Sequence, residues 1–229
     1  MSPTTEIAIL KLKDSTETLE GSSQAASTWQ EILDEILSSE GAQRLYWGKA
    51  VEDPSLVRLF IEWESLEHHK KVQASEPYAA LIEKIDIIFS EVTLVAHSNL
   101  KDLQHTARDV FTSPAAELLT VFFPAEYTAA QQEKFEAGMH QLLKNIEGKA
   151  KGARAAAAGW GMESDIANLK ISGYKGRAFF LCIGWDRVED HLQFRGTDAY
   201  KDNIHFIRDA EDLRDFLNMH FHGKEMVKG

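Results

Sequence analysis

Two stretches, "EWESLEHHKKVQASEPY" (62–78) and "GWDRVEDHLQFRGTDAY" (184–200), write the same spacing, Trp-x5-His-x8-Tyr. The residues are Trp63, His69 and Tyr78, then Trp185, His191 and Tyr200. An imidazole can take or give a proton near neutral pH. A phenol about two and a half helical turns further on can donate to a developing oxyanion. His69 and His191 are therefore candidate general acid–base groups, and Tyr78 and Tyr200 candidate oxyanion donors. His97 and His222 fall at matching places near the ends of the two copies and complete the catalytic candidates. His220 shares a strand face with His222 in "HFH". No third ligand follows at a fixed spacing, so His220 is expected to line a pocket and no metal is expected. The bland alternative is that each His bonds a carbonyl and each Tyr caps a core, because repeats preserve folding features first.

Five tryptophans are a generous supply of flat apolar surface. Trp47, Trp63, Trp160 and Trp185 recur between the copies, whereas Trp29 does not. Trp63 and Trp185 read best as core residues, and Trp47 and Trp160 as walls of a pocket for a flat ligand. Trp185, His140 and Phe194 join them as candidate substrate contacts. Glu62 in the first copy stands where the second has Gly184, which could leave room for a ligand. That asymmetry and an added loop favour the second copy as the working half.

The repeat positions these residues. "EIAILKLK" (6–13) matches "ELLTVFFP" (117–124), and "VRLFIEW" (57–63) matches "FFLCIGW" (179–185). "SEVTLVAHS" (90–98) matches "DFLNMHFHG" (215–223). Trp160 to Trp185 is 25 positions against 16 from Trp47 to Trp63, so the second copy carries extra residues within 164–176, a candidate lid. Periodicity gives strand, helix, strand, strand, helix, strand in each copy. In the first helix Trp29, Ile32, Leu33, Ile36 and Leu37 share a face. Ser65 and Asp186 are expected to cap the second helices, which end before Tyr78 and Tyr200.

This is an α+β chain of two ferredoxin-like β-α-β-β-α-β repeats. They span residues 1–100 and 116–229, with a linker over 101–115. Helices cover one face of each sheet, so the expected arrangement packs sheet to sheet, an intramolecular dimeric α+β barrel. A monomer or weak homodimer follows.

Composition removes several functions. Acidic residues outnumber basic ones, 36 to 25, giving a net charge of −11. Nucleic acid and anionic membrane are poor partners for such a chain. No apolar run reaches the roughly 20 residues needed to span a bilayer. The N-terminus lacks signal-peptide order, so the cytoplasm is the default location. Cys182, the single cysteine, lies in an apolar strand and reads as an inert thiol. No phosphate loop, nucleophile elbow or zinc-protease motif is present.

The "W-x-S-x-E" opening of the second helix and the "ASEPY" and "TDAY" endings resemble the dimeric α+β barrel superfamily. The branch is the antibiotic-biosynthesis-monooxygenase-like group, particularly its tandem fungal members of secondary metabolism. The resemblance implies a flat apolar ligand held between the sheet and helices of one unit. Many relatives carry His nine residues after the Trp, where this chain has Val72 and Phe194. The leading expectation is a cofactor-independent cyclase or isomerase acting on an aromatic or polyketide-like molecule. Cofactor-free oxygenation of a phenolic, anthrone-like substrate is the runner-up. A non-catalytic binding or stress-response protein is the third reading.

Overall fold

The computed structural model describes residues 3–14, 16 and 18–228. The chain divides into two compact units, residues 1–99 with 224–229, and residues 100–223. In unit 1 the order is β1 (Thr4–Leu12), α1 (Gln24–Ser38), β2 (Ala42–Lys49), β3 (Leu56–Trp63), α2 (Leu66–Gln73), α3 (Glu76–Ile88) and β4 (Phe89–Ser98). Unit 2 opens with β5 (Lys101–Gln104) and α4 (Ala107–Phe111). It continues through β6 (Ala115–Phe123), α5 (Ala129–Ile146), β7 (Ala153–Trp160), β8 (Ile166–Ala167) and β9 (Lys175–Trp185). Then come α6 (Val188–Phe194), α7 (Asp198–Lys201), α8 (His205–Arg208) and β10 (Asp215–Phe221). The last strand, β11 (Lys224–Val227), belongs to unit 1.

Both sheets are antiparallel and share one topology. Unit 1 runs β11-β2-β3-β1-β4 and unit 2 runs β10-β6-β9-β7-β5. Without β11 and β5 these are the same four-stranded ferredoxin-like order. The α+β class and two-sheet repeat are thus as the sequence implies. Each sheet also gains a strand on the same edge, where it satisfies an otherwise open row of backbone groups.

Those added strands correct the expected boundaries. Residues 101–115, read as a linker, form β5, α4 and the first residue of β6. Residues 224–229, assigned to the second repeat, fall in unit 1. Strands of four residues carry too little alternation to stand out from a polar connector.

Alternation selects which strand residues meet the helices. In β1 these are Glu6, Ala8 and Leu10, and in β3 Leu59, Ile61 and Trp63. Their counterparts are Glu117 and Leu119 in β6 and Leu181, Ile183 and Trp185 in β9. Ser23 caps α1, accepting from the Ala26 amide at 3.1 Å. Below it Trp29, Ile32, Leu33 and Ile36 are buried at helical spacing. A reciprocal capping box between Thr128 and Gln131 starts α5, which buries Phe135, Met139, Leu142, Leu143 and Ile146.

The second helix of unit 1 breaks earlier than expected, and Tyr78 lies inside the new helix α3. Ser75 occupies its N-cap position and Pro77 its first turn, where a missing N–H is harmless. Asp186 does not cap α6; Arg187 holds that position and Asp186 pairs with Arg154. No helix among the described residues is long and apolar enough to cross a membrane.

Gly184 leaves space for protein rather than ligand. A Cβ there would sit 2.2 Å from Ser113 Oγ and 3.2 Å from Val110 Cα. The Gly184→Ala variant is therefore expected to lose about 1–3 kcal/mol, measured as a lower urea midpoint. An unchanged midpoint would mean that the segment after α4 yields freely.

Candidate functional site

The two sheets carry the same buried cluster, with a member that motif reading overlooked. Glu6 and Glu117 project from the first strand of each repeat toward the helices. They are only 8% and 4% exposed. A carboxylate on an apolar face needs partners. Trp63 Nε1 donates to Glu6 Oε2 at 2.9 Å, and Trp185 Nε1 donates to Glu117 Oε2 at 2.8 Å. Sheet register explains the meeting: Thr4 pairs with Trp63 and Ala115 with Trp185, two residues before each Glu.

The histidines complete it. His69 and His191 lie one turn into α2 and α6, and helical side chains lean back toward the preceding strand. His69 stacks on Trp63 with centroids 4.7 Å apart, and His191 on Trp185 at 5.0 Å. Register places His97 opposite Glu6 and His220 opposite Glu117. His69 Nδ1 lies 2.7 Å from His97 Nε2, and His191 Nδ1 lies 2.7 Å from His220 Nε2. At that distance one nitrogen donates and the other accepts.

The copies differ in how the carboxylate meets the pair. Glu6 Oε2 approaches His69 Nε2 at 3.4 Å, so His69 is bridged, one nitrogen to each neighbour. In unit 2 Glu117 Oε2 approaches His191 Nδ1, also at 3.4 Å, the nitrogen already facing His220. Asn218 Nδ2 further anchors Glu117 Oε1 at 2.7 Å. The matching residue in unit 1 is Val95.

Each cluster forms one wall of an apolar cavity inside its own unit. The unit 2 cavity measures about 120 Å³, and Leu119, Leu181, Ile183, Trp185, Phe194 and Tyr200 contribute to its lining. In unit 1 the equivalent cavity measures about 80 Å³ and includes Trp63, His69, Val72 and Tyr78. Burial raises the Tyr78 pKa above the ordinary phenol value, which keeps it a proton donor.

Six of the candidates from sequence lie in or beside a cluster in unit 2 or unit 1: His191, His220, Tyr200, His69, His97 and Tyr78. Trp185 and Phe194 line the unit 2 cavity with them. His222 does not match His97; register gives that place to His220. His222 is exposed and its Nδ1 meets the Pro114 carbonyl at 2.7 Å. His140, expected to face the sheet, is 54% exposed beside Glu136. Trp47 and Trp160 line neither cavity. Trp47 packs edge-on against Trp29 at 5.5 Å, under the Lys224 ammonium. Trp160 joins Phe123, Tyr127, Phe135 and Phe179 in a second aromatic core. Trp63 and Trp185 are core residues as expected and line the cavities as well, whereas Trp47 and Trp160 do not serve as cavity walls. The loop 164–176 contributes nothing to the cavity lining either; it folds as a short hairpin with β8 on β9. Glu62 lies away from the cavity, paired with Arg44 at 2.9 Å.

Two histidines and a carboxylate also make a divalent-metal set, and the three ligand atoms in each unit lie within 4.8 Å of one another. Two imidazole nitrogens sharing a tetrahedral zinc at ~2.0–2.1 Å stand roughly 3.3 Å apart. The 2.7 Å separation is that of a shared proton, and metal entry would have to open it.

The family model for antibiotic biosynthesis monooxygenase matches residues 20–84, from before α1 into α3. An anthrone oxidase-like protein of known structure is 15% identical, with a TM-score of 0.70 over 100% of this chain and 94% of that one. A candidate monooxygenase from Fusobacterium nucleatum subsp. nucleatum is 13% identical, with a TM-score of 0.60 over 100% and 95%. Another from Lactobacillus acidophilus is 13% identical, with a TM-score of 0.58 over 100% and 98%. At these identities the likeness is one of fold. No curated protein matches the sequence.

Proposed function

We propose that the unit 2 cavity is the active site of a cofactor-independent monooxygenase acting on an electron-rich aromatic molecule. The observation that carries this reading is the buried Glu117–His191–His220 cluster set into an apolar wall. Glu117 near Nδ1 favours a proton on that nitrogen and stabilises the imidazolium that forms when His191 takes another. His191 then acts as base on an activated C–H of the bound ring. The resulting carbanion passes electrons to dioxygen and becomes a peroxide. The imidazolium returns the proton to give the hydroperoxide. Loss of water leaves a ketone, so one CH2 and one O2 give one C=O and one H2O. Tyr200 supplies a phenol in the lining to steady an oxyanion. The names of the structurally similar proteins support oxygenation over the other outcomes.

Cyclisation or isomerisation would share the first step and consume no oxygen. An oxygen electrode separates them: one O2 per substrate is expected with an anthrone as probe. Turnover with no oxygen uptake would replace the oxygenase reading with the isomerase one. Dialysis against a chelator is expected to leave the rate within about twofold, since proton transfer by side chains needs no ion. Loss of turnover restored by a divalent cation would convert the cluster into a metal site.

A further inference from the structure

The mouth of the unit 2 cavity is cationic in a chain of net charge −11. Arg195, just past α6, and Arg208, at the end of α8, both contribute to the cavity lining. Both also line an open groove that shares Tyr200 and Ile204 with the cavity. Two other arginines of unit 2 have acid partners, Arg187 with Asp190 and Arg154 with Asp186. Neither Arg195 nor Arg208 has a carboxylate partner among the described residues. Lys201, the third cation of the groove, is engaged by Asp198 at 3.7 Å.

A second signal lies inside. Asn218 donates to Glu117 through Nδ2, which turns its Oδ1 away, and that buried oxygen accepts no hydrogen bond. An unsatisfied buried acceptor on a cavity wall costs stability until a donor arrives. Unit 1 lacks both features. Its cavity has Val95 in place of Asn218, and no Lys or Arg contributes to its lining.

We propose that unit 2 binds a hydroxylated aromatic carboxylate, with its acid group at Arg195 and Arg208 and its hydroxyl donating to Asn218 Oδ1. The ring rests among Leu119, Ile183, Trp185 and Phe194. The cavity holds about 120 Å³, below the roughly 150 Å³ of an apolar cavity that admits benzene, so a bicyclic ring must extend from it into the open groove that shares Tyr200 and Ile204. The two polar groups of the ligand stand at opposite ends, one deep and one at the mouth. Unit 1, with the same proton-transfer cluster, has no Lys or Arg in its cavity lining, and the groove beside it sets Lys71 among Glu35 and Glu40. The inference rests on the unit 2 cavity being the substrate site.

Calorimetric titration of the full chain tests it with three probes: 6-hydroxy-2-naphthoate, 2-naphthol and 2-naphthoate. The hydroxy acid is expected to bind at least about tenfold tighter than either, the scale of one hydrogen bond to a charged group. The double variant Arg195→Gln/Arg208→Gln should erase the advantage over 2-naphthol. Asn218→Val should erase the advantage over 2-naphthoate. Equal affinities in the wild type, no binding of the hydroxy acid, or preferences that survive the substitutions would each overturn the proposal. Binding requires no turnover, so the two readings fail separately. Selective binding without oxygen uptake removes the oxygenase and keeps the ligand class, and oxygen uptake with an indifferent acid group does the reverse.

Discussion

The His191→Ala variant is expected to lose about two to four orders of magnitude in turnover, the usual contribution of a positioned acid–base group. Removal of the imidazole takes away a ring that lines the cavity and meets His220 at 2.7 Å. Exogenous imidazole should restore part of the rate, because the variant leaves a ring-sized vacancy against Trp185. A purely structural histidine would not respond to the added base in this way. His69→Ala, the twin change in unit 1, is expected to cost less than about tenfold, because both ring nitrogens of His69 are committed to Glu6 and His97. The ratio of the two losses reports which unit performs the chemistry. If His191→Ala turned over at the wild-type rate, the cluster would be scaffold and the base would lie elsewhere.

Much of this was legible in the chain because repetition amplifies weak signals. Trp63, His69 and Tyr78 each have ordinary structural explanations alone. Their recurrence as Trp185, His191 and Tyr200 fixed two strand–helix junctions and brought His69 and His191 to the right wall. Apolar, β-branched and aromatic runs matched between the copies identified β1, β3, β6 and β9. What stayed hidden depends on register. Glu6 and Glu117 stand at the head of "EIAILKLK" and "ELLTVFFP", and that shared position was the available clue. Their role appears only when β1 lies beside β3 and β4, which brings residues 57 and 91 positions away into contact. The same dependence explains why His222 was preferred to His220. Alternation puts both on one face, and only the pairing of Glu117 with His220 separates them. Tryptophan roles were similarly ambiguous, since an indole is large enough to be core and wall at once. Arg195 and Arg208 carry no motif, and their meaning lies in sharing a cavity mouth formed by two helices.

The duplicated cluster also bears on why one chain retains two. Both units keep the Glu, both histidines and the Trp N–H, so the set is stable as a buried hydrogen-bonded network in either context. Besides the ring nitrogen that meets the carboxylate, the surroundings diverge: Asn218 against Val95, two arginines at the mouth against Glu35, Glu40 and Lys71, and a larger cavity in unit 2. Selection on ligand binding acts on such surroundings while the network itself is held by its cost of disruption. Unit 1 can then conserve the geometry without conserving the substrate.

That cost is largest at Trp185. The side chain is 1% exposed, stacks on His191 and packs against Phe194 at 6.0 Å. Trp185→Ala is expected to destabilise the protein by about 3–5 kcal/mol, the range for emptying a large aromatic site. Urea unfolding followed by circular dichroism measures it. Trp185→Phe shifts the weight from packing to hydrogen bonding, because it retains a ring against His191 while removing, with part of the indole, the Nε1–H that Glu117 Oε2 accepts. That loss alone is worth about 1–3 kcal/mol for a buried partner left short of a donor. It also reaches the chemistry. Without the indole donor, Glu117 Oε2 keeps only its 3.4 Å approach to His191 while Asn218 holds Oε1, and the imidazolium of His191 has a less firmly fixed counter-charge. Turnover in Trp185→Phe should therefore fall by more than its loss of stability explains, at temperatures where the variant is fully folded. Wild-type stability and wild-type turnover in that variant together would show that the indole N–H bond to Glu117 supports neither fold nor reaction. The carboxylate would then act on His191 without help from the sheet.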